Sequence, residues 1–415
     1  MRNNVASLLE LAIRSTAESL LRDLTSSRNS SQVKKKLDST PDFNADPLTS
    51  HLLRIADTKY MRFDWTDDTI ISIIHEKTKT LNLTEVPEFG KLVTNSLSMI
   101  PNNIQCIESF IFKDCCADED IIVLNKFTQV LEEVDVEGSY EVTDAVVDIL
   151  KNLKNLRRLN LAGTKITPSG ITQILEGNKQ LIELSVNEVL TSDIDYMQEL
   201  TNLRSLKLDV IDSDVSSLKY LKNLDKIGLR KCNFHQLRSL LLDIGKRLLE
   251  IQLEEVQQID LQFILRELIG LTKLSLKKCS YENLFNTLES MPAYNGLTEL
   301  EIVAEETEPV IQLLMCCKNL EKIRLDLRSR LEEVELSRII HNNKFTKLRT
   351  FALYTSRQRI LSISAIEELL TTAEHLTNFT HLGVGRISGL ELENLQKTYP
   401  RADINITTTS WSVLT

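Results

Sequence analysis

Pairs of like-charged residues recur along the second half of the chain, and the sign of the charge alternates from one pair to the next. These pairs are Lys226 and Arg230, Glu250 and Glu254, Lys273 and Lys277, Glu299 and Glu301, and Lys322 and Arg324. Arg158 and Lys207 occupy matching positions earlier in the chain. Side chains of this kind form ion pairs and bind charged or polar groups of another molecule. We therefore take these residues as a candidate surface for binding a peptide or protein. Pairing with each other on a solvated surface is the alternative.

No combination of residues typical of an enzyme or a metal site occurs in the sequence. A phosphate-binding loop, a nucleophile elbow, a zinc-protease motif and the kinase signature set are all missing. The closest two histidines, His375 and His381, are six positions apart, which is not a metal-ligand spacing. We therefore expect a protein that is not an enzyme, with no catalytic residues, no cofactor and no metal ion.

The overall charge and the apolar segments limit the kinds of partner. The formal net charge is −10, whereas binding to nucleic acid or to an anionic membrane requires a basic surface. The longest apolar stretches, such as Val310–Cys317, are far shorter than the roughly 20 residues that span a bilayer. We expect neither a nucleic-acid partner nor a membrane.

Cysteine spacing and the first residues indicate the compartment. The seven cysteines are odd in number and form no CxxC pair, which predicts free thiols in a reducing environment. Glu10, Arg14 and Glu18 interrupt the apolar segment that a signal peptide would require. We expect a cytoplasmic protein, with the nucleus as the alternative.

The charged pairs fall within a phrase that recurs throughout the chain: an apolar residue, two variable residues, then apolar-x-apolar. Clear copies begin at Leu156, Leu181, Leu203, Leu224, Leu248, Leu271, Leu297, Leu320 and Leu348. Weaker copies begin at Ile107, Leu131 and Phe379, and a degenerate first copy covers Leu81 and Leu83. Successive starts are 21 to 31 residues apart. This is the leucine-rich-repeat pattern, whose period is about 20–29 residues.

Each phrase predicts a short strand with its apolar residues inward and the intervening residues outward. Helices are predicted between the strands. Thr167 can cap one that begins at Pro168, and Thr143 can cap another with Val146, Ile149, Leu150 and Leu153 inward. The fold class is therefore α/β: a leucine-rich-repeat solenoid with a parallel sheet on the concave face and helices on the convex face. We place an N-terminal helical segment at 1–76 and the solenoid, with a C-terminal cap, at 77–415.

Three cysteines occupy one position of the repeat. Cys115, Cys232 and Cys279 each follow the first apolar residue of their phrase by eight positions. In leucine-rich repeats this is the Asn/Cys position, where a small polar side chain satisfies backbone groups at the turn. We expect a structural role for these three residues and packing at a helix end for Cys316 and Cys317.

A segment near the start resembles an adaptor-binding motif. Ser7-Leu8-Leu9-Glu10-Leu11-Ala12-Ile13-Arg14-Ser15-Thr16 is similar to the elongin BC-box, Ser/Thr-Leu-x-x-x-Cys-x-x-x-apolar, with Ala12 at the Cys position. Such boxes begin the leucine-rich-repeat substrate receptors of cullin-2 ubiquitin ligases, of the Zyg-eleven and Zer-one type. In that family a linker and a Pro-containing, cullin-contacting helix follow the box. The resemblance implies an adaptor-binding set consisting of Ser7, Leu8, Leu9, Ala12, Pro47, Leu48 and Leu52.

This resemblance implies a non-enzymatic substrate receptor that binds elongin B and C together with a cullin scaffold, and a protein substrate through its repeats. The family's C-terminal armadillo-like domain has no counterpart in this sequence. Two alternatives remain. One is a receptor that binds Skp through an F-box. The other is a leucine-rich-repeat scaffold or inhibitor with no ligase role.

Overall fold

The protein is described from a computed structural model. The structure describes residues 78–84, 106–211, 214–282, 293–329, 331–359, 361–384 and 387–409. The predicted helical segment 1–76 lies outside these residues, and so do all seven adaptor-binding residues within it. The chain forms two compact units, Met1–Arg204 and Ser205–Thr415. The predicted boundary between 76 and 77 stays a prediction.

The first unit contains parallel strands that pair in the order of the sequence. Its described strands are β1 Thr80–Asn82, β2 Ser109–Ile111, β3 Glu133–Asp135, β4 Arg158–Asn160 and β5 Glu183–Glu188. Its described helices are α1 Asp118–Ile122, α2 Val147–Lys151, α3 Pro168–Gly177 and α4 Thr191–Met197, with 3-10 turns at Val123–Phe127 and Asp144–Val146. A helix or turn thus follows most strands.

The second unit repeats the arrangement with longer strands. Its described strands are β6 Ser205–Asp209, β7 Lys226–Arg230, β8 Glu250–Glu254, β9 Ile259–Asp260, β10 Lys273–Lys277, β11 Tyr281–Glu282, β12 Glu299–Ala304, β13 Lys322–Leu327, β14 Thr350–Arg359, β15 Asn378–Val384 and β16 Asp403–Thr409. Its described helices are α5 Phe234–Ile244, α6 Leu261–Glu267, α7 Glu308–Cys316, α8 Glu333–Asn342, α9 Ile363–Thr372 and α10 Gly389–Thr398, with a 3-10 turn at Ser216–Tyr220. β9 and β11 pair with each other, and the other strands form one parallel sheet.

The parallel strands connected by helices confirm the α/β leucine-rich-repeat fold. Inward and outward positions alternate along each strand as the phrase predicts. In β8, Ile251 and Leu253 are buried, whereas Glu250, Gln252 and Glu254 are half-buried. One repeat cannot bury its apolar residues alone, so the core is continuous along the stacked repeats.

The predicted cap at Thr167 is present, and it is held in place from the preceding repeat. The Thr167 hydroxyl accepts a hydrogen bond from the Gly170 N–H at 3.2 Å. Asp144 in turn accepts from the N–H and the hydroxyl of Thr167, at 2.8 and 2.7 Å. Asp118 binds Thr143 in the same way. A carboxylate of one repeat therefore fixes the first turn of the next.

The helix predicted after Thr143 is present with a different packing. It begins as the 3-10 turn Asp144–Val146 before α2. The tighter turn rotates the following residues, so Val147 is buried and Ile149 is only half-buried. The expectation that Ile149 faces inward was wrong.

At the ends of several helices, one polar side chain from the next repeat donates to backbone carbonyls, a contact that no sequence pattern predicts. These bonds run from Asn178 to Leu150, from Arg247 to Lys219 and Leu221, from Tyr294 to Leu268 and Leu271, from Asn343 to Leu314 and Cys317, and from Arg401 to Leu370 and Ala373. The last carbonyls of a helix have no partner within it. Amide, phenol and guanidinium groups all donate these hydrogen bonds, so no single residue type identifies the position in the repeat.

The last full repeat begins at Leu376 and not at Phe379. The register pairs Phe351 with Phe379 and Leu353 with His381, and Leu376 is fully buried. His381 therefore occupies a position where the phrase has an apolar residue, which is why the sequence pattern was misread. A last strand, β16, follows α10, and Ala402 and Ile404 are buried there.

His381 is accommodated in the core by two hydrogen bonds. Its Nε2 accepts from the Leu361 N–H at 3.0 Å, which leaves the proton on Nδ1 to donate to the Leu353 carbonyl at 3.0 Å. Burial lowers the pKa of His381, although the bond to Leu353 opposes that effect. The folded protein therefore favours the neutral ring.

The cysteines follow the prediction in part. The Cys279 thiol lies 3.3 Å from the Leu253 carbonyl, as expected of its repeat position, and Cys232 is buried. Cys115 is exposed and its neighbour Cys116 is buried, so the expectation for Cys115 was wrong. Asp114 has a left-handed backbone with φ of 67°. Lys231 and Lys278 have the same left-handed backbone directly before Cys232 and Cys279, so this turn does not explain why Cys115 alone of the three is exposed.

Candidate functional site: the strand face

The outward side chains of the second unit's main sheet form rows across the strands, and we call this surface the strand face. The first row contains Ser205, Lys226, Glu250, Lys273, Glu299, Lys322, Thr350, Asn378 and Asp403. Neighbouring strands of a sheet lie about 4.8 Å apart. The charges that alternate in the sequence therefore meet as opposite charges in space.

Ion pairs connect the charged residues of β7 to β13. The nitrogen-to-oxygen distances are 3.5 Å for Arg230 and Glu254, 3.0 Å for Lys273 and Glu250, 3.3 Å for Lys277 and Glu301, 2.7 Å for Lys322 and Glu299, and 3.8 Å for Arg324 and Glu301. Glu250, Glu254, Lys273, Lys277, Glu299 and Glu301 form what we call the paired section. Its charges are largely neutralised within the sheet.

Hydrogen bonds within the paired section affect its pKa values. Burial alone would raise the pKa of Glu250, but hydrogen bonds from Lys273 and Gln252 outweigh it, and the pKa is lowered. The pKa of Lys322 is raised by its hydrogen bond to Glu299. Both groups are therefore held in their charged forms, which keeps the ion pairs intact at neutral pH.

Two lysines at the start of the strand face differ from the paired section. Within the described residues, Lys207 and Lys226 form no ion pair within 4.0 Å. The stem of Lys207 lies across Gly228, where an added Cβ would be 2.7 Å from the lysine Cγ. Gly228 thus leaves room for a long side chain to lie flat on the sheet.

Arg158 belongs to the first unit, where it has its own acidic partner. Its Nη2 lies 3.1 Å from Glu133, which also accepts a 2.7 Å hydrogen bond from the Ser109 hydroxyl. Burial would raise the pKa of Glu133, but these two bonds outweigh it, and the pKa is lowered. Nearby, Lys113 lies 2.9 Å from Asp135. Several outward charges of this unit are therefore also paired.

Beyond the paired section, the strand face becomes mainly apolar along its third row. Val303, Asp326, Tyr354 and Leu382 are neighbours there in register and are all half-buried. We call these four residues the open section. These residues do not stand out in the sequence, because the repeated charge pairs mark other outward positions and three of these four residues are uncharged.

The described residues contain no group of three or more His, Cys, Asp and Glu residues that could hold a metal ion. In the same part of the chain, no helix is both long and apolar enough to cross a membrane.

The fold defines the class of this chain as a leucine-rich-repeat protein. Comparison with protein-family models and with curated proteins gives no match. Among solved structures, a leucine-rich-repeat protein of Leptospira interrogans shares 18% identity over 85% of this chain and 97% of its own, with a TM-score of 0.32. Internalin C2 from Listeria monocytogenes shares 20% identity over 56% and 93%, with a TM-score of 0.32.

A chain of the crystal structure of the Rad7 and Elc1 complex from yeast is also similar. The identity is 14%, and the match covers 91% of this chain and 90% of that chain, with a TM-score of 0.50. At this level of identity the likeness concerns the fold.

Proposed function

We propose that this protein is a non-enzymatic substrate-recognition subunit of a cullin-RING ubiquitin ligase, with cullin-2 as the scaffold and elongin B and C as the adaptor. The N-terminal segment binds the adaptor through Ser7, Leu8, Leu9 and Ala12. The strand face binds a protein substrate. The protein acts in the cytoplasm or the nucleus.

The observation that carries this proposal is the order of the two parts. A segment similar to the BC-box comes first, and a repeat array with a broad outward surface follows it. An elongated sheet presents side chains from many strands to one partner, which is how repeat proteins bind other proteins. The similar yeast structure gives further support, because it contains two proteins bound to each other, Rad7 and Elc1.

An affinity pull-down of the full chain, read by mass spectrometry, tests the adaptor. Wild-type protein should capture elongin B and C. Leu8→Arg should remove both, because a helix-in-groove interface depends on a few buried apolar anchors and an unpaired buried charge is costly.

Glu10→Arg is the matched control. It introduces the same side chain two positions away, which in a helix is off the face of Leu8 and Ala12, so elongin capture should persist. Ala12→Cys restores the family residue and should preserve or strengthen capture. A wild-type chain that captures no elongin contradicts the proposal, and capture of Skp instead would favour the F-box alternative.

The ion pairs of the paired section favour a second candidate, a scaffold or inhibitor with no ligase role. Charges that neutralise each other stabilise repeat packing without requiring a partner. This candidate predicts that neither elongin nor Skp is captured. It also predicts that Leu8→Arg lowers the thermal stability of the first repeats, because the N-terminal helix would then only cap them.

A further inference from the structure

One carboxylate of the open section differs from those of the paired section. Glu250, Glu299 and Glu301 each have a basic partner within 4.0 Å. In the part of the chain that the structure describes, the Asp326 carboxylate has neither a hydrogen bond nor an ion pair. The strand face therefore has an unused acceptor at β13.

The two cations that flank Asp326 in the sequence, Arg324 and Arg328, are directed elsewhere, and the Arg328 Nη1 lies 2.7 Å from Glu305. The Arg324 Nε lies 3.8 Å from Glu301, and its guanidinium lies over the Tyr354 ring, 5.2 Å from the ring centre. Arg324 thus contributes positive charge nearby without forming an ion pair with Asp326. Its stacking also holds the Tyr354 ring in position beside Asp326.

An apolar and an aromatic side chain occupy the same row as Asp326 on the two adjacent strands. Val303 lies opposite Asp326 on β12, Tyr354 lies opposite it on β14, and Leu382 follows on β15. A basic group that binds Asp326 would be partly shielded from water by these neighbours, and charge-assisted hydrogen bonds are stronger in such surroundings. Aromatic residues in partly buried positions are also common anchors of protein interfaces.

We propose that the open section binds a protein segment that places one Lys or Arg side chain on Asp326 and apolar side chains on Val303, Tyr354 and Leu382. This inference rests on the proposed function as a substrate receptor and names the class of substrate. An acidic segment or a phosphate backbone would bring negative charge against Asp326. Charge complementarity therefore selects a basic and apolar segment.

A display library of random dodecapeptides, selected on the full chain, tests this specificity. The enriched sequences should share a Lys or Arg with an apolar residue close by. The most enriched peptide, labelled with fluorescein, is then titrated with wild-type and variant protein by fluorescence polarisation. Asp326→Asn should weaken its binding about tenfold or more, because a charge-assisted hydrogen bond is lost.

Asp403→Asn is the matched control. Asp403 is exposed on β16, and within the described residues its carboxylate has no hydrogen bond or ion pair, so its removal should leave peptide affinity unchanged. Asp326→Lys should lose the original peptide and bind a version in which Glu replaces the basic residue. Among the residues that the structure describes, Asp326 binds no other side chain, so thermal melts of these variants should match the wild type.

Three results would overturn the inference: no enriched peptide, enriched peptides without a basic residue, or equal binding by wild type and Asp326→Asn. The elongin pull-down separates this inference from the proposed function. A chain that binds the basic peptide through Asp326 but captures no elongin would remove the ligase role and keep this site. Elongin capture without peptide binding would support the ligase role and exclude this site.

Discussion

The paired and open sections lie on the same face of the same sheet, but their side chains have different roles. In the paired section nearly every charge meets an opposite charge on the next strand, as Lys273 and Glu250 do at 3.0 Å. In the open section Asp326 has no such partner among the described residues, and its neighbours are apolar or aromatic. A partner that covers the paired section must compete with existing ion pairs, whereas the open section offers the Asp326 carboxylate.

This contrast indicates that charge density is a poor guide to a binding surface. A charged pair that is already satisfied adds little to binding and loses solvation when it is covered. The twelve charged residues of the candidate surface therefore remain a prediction. The better candidate is the open section, whose four residues lie at one end of these charged residues.

The largest expected effect tests the division between inward and outward positions on which this comparison depends. Leu206 is fully buried in β6 and Lys207 is exposed beside it. Leu206→Ala should lower the free energy of unfolding by about 2–5 kcal/mol, because it leaves a cavity in the continuous core. Lys207→Ala should change it by less than about 0.5 kcal/mol. Denaturant melts measure both, and equal effects would contradict the assignment.

The next effect concerns the paired section. The double change Lys273→Glu and Lys277→Glu removes two ion pairs and places like charges opposite Glu250, Glu254 and Glu299. We expect a loss of about 1–2 kcal/mol of stability, which should shrink at high salt.

The control for that change is Lys273→Gln with Lys277→Gln, which removes the charges without reversing them and should cost less. If the paired section only stabilises the sheet, binding of the basic peptide to the open section should persist in both variants. Lost peptide binding with an unchanged melting temperature would show instead that the paired section is the binding surface.

A third prediction concerns His381, which lies inward on β15 beside Leu382. Its pKa in the folded protein is lowered from 6.5, so below that value the unfolded chain binds the proton more readily. Stability is therefore complete above about pH 6.5 and falls as the pH decreases below it, by at most about 1.4 kcal/mol per pH unit.

Thermal melts at a series of pH values measure this effect. His381→Gln keeps a donor and an acceptor but does not titrate, so the difference between the two proteins should grow as the pH falls. Parallel curves for both proteins would show that the buried ring does not contribute to the pH dependence.

The smallest expected change in stability comes from the open section itself. Leu382 is half-buried and outward, so Leu382→Thr removes apolar surface while retaining a residue suited to a strand. Stability should change by less than about 0.5 kcal/mol, whereas binding of the basic peptide should weaken. Calorimetry and fluorescence polarisation separate the two. A large loss of stability would place Leu382 in the core and not in a binding surface.

The prediction of the repeats succeeded because a repeated pattern averages out local ambiguity. A single apolar-x-apolar segment fits many structures, but regular copies determine which residues of each strand face inward. The phrase did not predict the start of the last full repeat, because His381 occupies a position where the phrase has an apolar residue. Only the hydrogen bonds to Leu353 and Leu361 make a polar ring acceptable there, and these partners are 28 and 20 residues away, respectively.

Residue types and their spacing were enough to predict the repeat, the parallel strands, the helix cap at Thr167 and the alternation of charge between strands. These features depend on residue type and short-range spacing. Only the three-dimensional contacts show which charges pair, which side chains bind the helix carbonyls, and that within the described residues Asp326 has no ion pair or hydrogen bond, with Tyr354 opposite it and Leu382 one strand further on. Such contacts join residues from different repeats, so they depend on the register and distance between strands, which no local pattern specifies.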